Sequence, residues 1–371
     1  MAYPHAVAAP QLDNAKHDAL IIIADNFSEL DDPNLSQAIK AQMAVDARIG
    51  KQVTLLVVDS KRVILAPTGP LNRDYDDVRR YFDAAKLAIN EAKASGSTKP
   101  AIYLPQASQD SRYQYALEVA YLGACQALWQ PLEAREFHGE SIEPITQIAL
   151  FGANEQTIKA VNAIAAGQYA ARDLCGTEPE RMAPPRFADY CVDLFKGSKV
   201  NVAVIADIAT IDKEYPMMST VARASYAVER HHPRVVKLEY VPEGEVTRTL
   251  MFVGKGLVYD TGGADLKVGG HMAGMSRDKG GAASVAGFMK SVADFQPQGV
   301  KVIAYLAVVR NSIGSDCFVP DEIITSREGV RVRIGNTDAE GRLAMGDLLS
   351  EMKDLAKGEV NPEIFTVATL T

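Results

Sequence analysis

A chain of 371 residues that is 47% hydrophobic and 23% charged has the composition of an ordinary globular protein, long enough for about two domains with their own cores. Its net charge of −8 and pI near 5.4 exclude a general electrostatic binder of nucleic acid or of anionic membrane. Cys125, Cys175, Cys191 and Cys317 show no CxxC spacing, no stretch reaches the roughly 18 apolar residues of a membrane span, and the first residues lack an apolar signal core. Free thiols and a cytoplasmic location are therefore expected.

In chain order, 19–24 (ALIIIA), 53–58, 62–66 and 101–104 read as strands. Between and after them 75–93 and 111–127 read as helices, the first with Val78, Phe82, Ala85, Leu87 and Ala88 as its apolar positions. Strands interleaved with helices predict an α/β domain over 1–152 with a largely parallel sheet. No glycine-rich phosphate loop opens any of these helices, so a support or assembly role is expected rather than a nucleotide site. Tyr113, Tyr115, Tyr121 and Trp129 have helical spacing and are expected as core or interface aromatics.

Residues 155–174 (EQTIKAVNAIAAGQYAARDL) predict one alanine-rich helix, broken by Pro179, Pro184 and Pro185. We place a linking helix at 153–175 and a second α/β domain at 176–371, with a helix at 187–195 and strands at 201–205 and 235–241. Residues 249–253 and 257–259 read as two short strands split by Gly254-Lys255-Gly256. A helix at 282–294, a strand at 300–309 and a strand at 363–371 complete the expected elements.

The chemistry concentrates in three stretches of this second domain. Asp260 precedes Gly262-Gly263, and Asp278 precedes Gly280-Gly281. Asp338 and Glu340 stand two apart, so on an extended segment they leave the backbone on the same side. Leu343, Met345, Leu348, Leu349 and Met352 then predict a helix behind them. Any one such acid is ordinarily a turn or cap residue. Four together balance two divalent cations, and such a pair, about 3.5–4 Å apart, can activate water and hold the oxygen on which charge develops.

These stretches, NTDAEGRL at 336–343, GKGLVYDTGGADLK at 254–267 and Met275 with DKGGAA at 278–283, closely resemble the leucyl aminopeptidase, or cytosol aminopeptidase, family. Weaker echoes are ARDLCGTEPERMAPPRFAD at 171–189 and MMSTVARAS at 217–225, and the likeness runs from about Ala171 onward. The resemblance implies a smaller N-terminal α/β domain and a metallopeptidase domain whose central mixed sheet is flanked by helices. It implies that Lys255, Asp260, Asp278, Asp338 and Glu340 bind two metal ions, zinc or manganese or magnesium, with Asp260 and Glu340 bridging. It implies catalytic roles for Lys267, which would stabilise the oxyanion, and Arg342, which would hold a bicarbonate as proton shuttle. Lys255 can ligate only as the neutral amine, so burial beside two cations is expected to lower its pKa strongly.

Departures surround these positions without removing any: DTGG with Thr261 for DSGG, ADLKV for ISLKP, and the loop GGHMAGMSRDK, whose His271 we leave outside the ligand set. Family members run on well past the equivalent of residue 371, so a C-terminally incomplete catalytic domain is expected. Two classes of function stay open. One is a two-metal aminopeptidase acting on peptides with a free N-terminus, leucine or another hydrophobic residue first, assembled as a homo-hexamer where the C-terminal region is complete. The other is a non-catalytic interaction or regulatory subunit on a shortened peptidase fold. Neither reading includes nucleic acid or membrane as a partner.

Overall fold

The computed structural model describes residues 3–10, 16–28, 30, 32–105, 110–139 and 142–370. Two compact units, Met1–Ala165 and Ala166–Thr371, divide within one long helix.

The first unit contains β1 (His5–Ala9), β2 (Ala19–Ala24), α1 (Pro33–Met43), β3 (Thr54–Val58), β4 (Lys61–Pro67), α2 (Arg79–Ala94), β5 (Pro100–Tyr103), α3 (Ala116–Leu128), α4 (Leu132–His138) and β6 (Gln147–Phe151). The six strands form one sheet in the order β1-β6-β5-β2-β4-β3, parallel except for the β3/β4 hairpin. Asp59 and Ser60 both take positive φ in that hairpin's two-residue turn, as the mirror-image turns of tight hairpins require. Ile22 and Leu65 pack with Leu35 and Ile39 of α1, while their strand neighbours Ile21 and Ile64 are equally buried. A sheet buried on both faces explains the unbroken apolar run ALIIIA.

Helix α2 corrects one expectation. Its buried stripe is Tyr81, Ala84, Ala85, Ala88, Ile89 and Ala92, and Leu87 lies outside it, 62% exposed. Leu87 sits two and three positions from Ala85 and Ala84, off the i, i+4 line that the alanines trace. Tyr113 and Tyr121 are buried as expected, whereas Tyr115 is exposed.

Helix α5 (Glu155–Gly176) carries the division between the units. The second unit continues with α6 (Pro184–Phe195), β7 (Val200–Ile205), α7 (Ile208–Glu214), α8 (Pro216–Ala222), β8 (Arg234–Tyr240), β9 (Arg248–Asp260), α9 (Gly280–Phe295), β10 (Val300–Asn311), β11 (Ile323–Thr325), β12 (Arg331–Arg333), α10 (Glu340–Ala356) and β13 (Pro362–Val367). Its main sheet runs β13-β9-β10-β8-β7, with β13, β9 and β10 parallel and β8 and β7 antiparallel to their neighbours. One face carries a core of Met218 and Val221 from α8, Leu343, Leu348 and Met352 from α10, and Val253, Ile303 and Ala307 from the strands. Helices α6 and α9 pack on other strand positions. The α/β class, with a mixed sheet flanked by helices, is as the sequence predicts.

The two short strands expected at 249–253 and 257–259 are one continuous 13-residue strand, β9. The glycines that suggested a break answer a packing need instead. A β-carbon on Gly254 would stand 2.7 Å from Ala282 Cα on α9, and one on Gly256 would stand 2.7 Å from the carbonyl oxygen of Ala307 on β10. They let α9 and β10 close onto the strand that carries Lys255 and Asp260.

Candidate metal centre

The side chains singled out in the sequence meet where β9 and β10 end, at the carboxyl edge of the parallel strands, the usual place for a site in such sheets. One cavity of about 770 Å³ is lined by Lys255, Asp260, Lys267, Asp278, Asp338, Glu340 and Arg342 together.

Lys255 and Asp260 both lie on β9, five residues apart, an odd spacing that would send them to opposite faces of a regular strand. The pairing of β9 with β10 corrects this: Val309 pairs with Leu257 and Arg310 with Tyr259, so Val258 is an extra residue on β9. This bulge resets the alternation and returns Asp260 to the side of Lys255.

Asp338 and Glu340 are not on an extended segment. Thr337–Ala339 form a 3-10 turn, started by Asn336, whose Oδ1 accepts from the Asp338 N–H at 2.7 Å, and Glu340 opens α10. The two carboxylates consequently diverge onto different partners. Glu340 Oε1 lies 2.9 Å from Lys255 Nζ, and Asp338 Oδ1 pairs with Lys267 Nζ. Lys255 Nζ also lies 2.8 Å from Asp278 Oδ2 and donates to the Thr369 carbonyl at 2.8 Å, while Lys267 Nζ lies 2.9 Å from Asp260 Oδ2. Gly341 makes room for Lys255.

Asp260, Asp278 and Glu340 each offer an oxygen within 4.8 Å of the other two. Asp338 stands outside that group, turned toward Lys267 and with its side chain 34% exposed. Four carboxylates face only two ammonium groups, so negative charge is left over. Among the described residues Glu340 Oε2 is buried without a hydrogen-bond partner, its carboxylate meeting Lys255 through Oε1. Asp278 Oδ2 and Asp338 Oδ1 also lack well-formed hydrogen bonds, but each lies against a lysine. An orphaned buried carboxylate oxygen amid hard oxygen donors fits a divalent cation.

The electrostatics agree. Burial, and then the charge of Asp260, push the Glu340 carboxyl up to about 7 against the opposing pull of Lys255. Burial also raises the Asp278 carboxyl. A lowered Lys255 pKa is expected beside two cations; the protein's own groups set a different balance at that lysine. Burial pulls its pKa down, but Glu340 and Asp278 together outweigh that and raise it, so in the protein alone it is an ammonium. Lys267 is raised as well, its burial outweighed by Asp338 and Asp260.

Arg342 is exposed on the first turn of α10 and lines the cavity, and His271 sits exposed at its rim, outside the carboxylate group. Residues that the sequence reading left aside also build the site. Thr369 Oγ1 donates to Asp278 Oδ1 at 2.7 Å. Asp265 Oδ2 accepts from the Thr337 N–H at 2.7 Å, and Thr337 Oγ1 accepts from the Asp265 N–H at 2.8 Å, tying the loop of Lys267 to the turn of Asp338. Asn311, at the end of β10, reaches Asp260. The one sequence signal for Asn311 is that it and Arg310 close the apolar run 302–309.

Comparison with known proteins places the chain in a family. The model of the cytosol aminopeptidase family catalytic domain matches residues 169–371, more than half of the chain. The Caenorhabditis elegans protein W07G4.4 is 46% identical over 326 residues, 86% of this chain and 61% of that protein. A probable cytosol aminopeptidase of Synechococcus sp. (strain CC9605) is 36% identical over 231 residues, 62% of this chain and 45% of its own length. The chain thus spans about three fifths or less of these relatives. Among solved structures, apo leucyl aminopeptidase from Trypanosoma cruzi superposes with a TM-score of 0.80 over 100% of this chain and 74% of its own, at 22% identity. The bottromycin maturation enzyme BotP in complex with Mn does so with a TM-score of 0.76 over 95% and 72%, also at 22% identity. By the family model and these relatives, the chain belongs to the cytosol aminopeptidase family.

Proposed function

We propose that this chain carries the metal centre of an aminopeptidase that releases N-terminal residues, leucine or other hydrophobic residues first, from peptides. The observation that carries this reading is the approach of Asp260, Asp278 and Glu340 to within 4.8 Å of one another, with Glu340 Oε2 buried and unpartnered. Asp260, Asp278, Asp338, Glu340 and a deprotonated Lys255 would hold two divalent ions, and the manganese in the BotP structure supports manganese as one candidate beside zinc and magnesium. When bound, such ions polarise the scissile carbonyl and lower the pKa of water.

The chain's own groups do the rest. Four carboxylates against two lysines leave the cavity negative enough to receive the substrate's free α-amine as well as metal, even though burial raises Glu340 and Asp278 toward their neutral forms. Lys267, kept charged by Asp338 and Asp260, places a positive charge at the cavity where the tetrahedral oxyanion develops. Arg342 presents a planar fork of N–H donors that suits bicarbonate, the base implied by the family likeness. Lys255 would hold metal as the neutral amine, the cations' charge offsetting the carboxylate field that otherwise raises its pKa. A homo-hexamer is the assembly this reading carries where the C-terminal region is complete.

The test is hydrolysis of leucyl p-nitroanilide by the purified chain with added Mn²⁺ or Zn²⁺ and bicarbonate, before and after chelation. Turnover that chelator abolishes and metal restores supports the proposal. A soluble, metal-loaded chain without turnover would instead support the interaction or regulatory reading.

A further inference from the structure

Asn311 is completely buried at the last position of β10, next to the proposed metal centre. Its Nδ2 donates one hydrogen to Asp260 Oδ1 at 2.8 Å and the other to the Thr337 carbonyl at 3.2 Å. Its backbone carbonyl accepts from the Thr261 N–H at 3.1 Å and from Thr261 Oγ1 at 2.9 Å. One residue thereby touches the end of β9, the loop that leads to Lys267, and the turn that carries Asp338.

The amide's orientation follows from its partners. Turned the other way, its carbonyl would face two acceptors, a carboxylate oxygen and a backbone carbonyl. In the orientation adopted, Asn311 Oδ1 is buried without a partner. A residue present only to satisfy a strand end would not leave its own acceptor orphaned. What this position uses is the pair of N–H donors.

The Gly262 N–H donates to the same Asp260 Oδ1 at 2.9 Å. With Oδ1 held by two donors, the carboxylate cannot rotate, and Oδ2 is left facing the cavity, 2.9 Å from Lys267 Nζ. We infer that Asn311 is a positioning residue: it fixes which oxygen Asp260 offers to the centre and couples that oxygen to the 336–340 turn. The inference rests on the metal-centre reading above, and partners one step removed from a metal typically change affinity by about 10- to 100-fold.

The experiment titrates Mn²⁺ calorimetrically into the full chain, its Asn311→Ala variant and its Asn311→Asp variant at pH 8, with thermal melts of each metal-free protein. Asn311→Asp keeps the size and shape of the side chain and adds a negative charge that by Coulomb attraction alone would draw a cation more tightly. Weaker Mn²⁺ binding by about 10- to 100-fold in both folded variants is the expected result. Tighter or unchanged binding in Asn311→Asp overturns the inference, as does a lowered melting temperature with Mn²⁺ affinity intact. Failure of both variants to fold overturns it in favour of a purely structural role. A wild-type chain that binds no Mn²⁺ removes the metal-centre reading itself and this inference with it, so the two failures are distinguishable.

Discussion

A β-carbon on Gly341 would lie 2.6 Å from Lys255 Cε and 2.9 Å from its Nζ, so the first turn of α10 and the key lysine of β9 meet with no space between them. The glycine of the motif is set by the lysine eighty-six residues earlier in the chain.

Gly341→Ala is therefore expected to act on the site before it acts on the fold. The clashing atoms are the far end of a side chain, which can shift where a backbone could not. Lys255 Nζ would leave its positions against Asp278 and Glu340, and a displacement near 1 Å in a catalytic constellation costs about 100-fold in rate. Turnover of leucyl p-nitroanilide should fall by about that factor while the melting temperature moves by only a few degrees. A wild-type rate would contradict the contact.

Gly254→Ala should behave in the opposite way. The new methyl meets Ala282 Cα and Ala282 N at 2.7 and 3.0 Å, which are backbone atoms of α9 and cannot swing aside. Overpacking of this kind costs about 1–3 kcal/mol. Urea denaturation should show a lower midpoint with an unchanged slope.

Lys267→Met separates rate from metal loading. On the proposed reading, removing the ammonium takes away a positive charge where an oxyanion would develop, and turnover should fall by about 100- to 1,000-fold. The same ammonium now competes with cations for Asp260 and Asp338, so Mn²⁺ affinity measured by calorimetry should hold or tighten. Equal loss of both would contradict the assigned role.

Away from the site, Glu180 predicts an acid-side loss of stability. Hydrogen bonding from Arg230, beyond what burial costs, holds its carboxyl at about 2, with His231 contributing further. His231 is itself shifted downward by burial, so near neutrality it is uncharged and the ion pairing comes from Arg230 and Arg310. The depressed Glu180 contributes stability above its unfolded value near 4.5 that is lost as pH falls toward 2. The depressed His231 favours its neutral form in the fold, so stability also declines as pH falls below 6.5. Glu180 is largely exposed, which limits its share to about 1 kcal/mol. Glu180→Gln should melt below the wild type at pH 6, and the gap should close between pH 4.5 and 2.

Part of this was readable in residues alone. Asp260, Asp278, Asp338 and Glu340 stand beside glycines in motif strings, and the structure brings all four to one cavity. The alternating strands and helices likewise foretold both α/β units. What the sequence hid depends on distant partners. Gly254 and Gly256 looked like strand breakers because the helix and strand they accommodate lie 26 and more residues away. Asp338 and Glu340 looked extended because nothing local reveals that Asn336 starts a 3-10 turn there. Asp265 and Asn311 carry no motif of their own, and their hydrogen bonds span 72 and 51 residues. The lowered pKa expected of Lys255 is tied to two bound cations, whereas the protein's own carboxylates act on it in the opposite direction.

The single surplus residue at Val258 has a further meaning for how such a centre tolerates change. Side chains on a strand obey odd and even numbers, and Lys255 and Asp260 share a cavity only because one count is skipped between them. Deleting Val258 would make the spacing four, an even count, so Lys255 and Asp260 would still leave a regular strand on one side; one more residue inserted beside it and paired regularly would instead put the two halves of β9 out of phase and aim their charged groups at opposite layers of the domain. Conversely, any substitution at 258 that preserves bulk leaves that phase untouched. At this point the strand's numbering, more than the chemistry of the residue it holds, decides whether a centre exists.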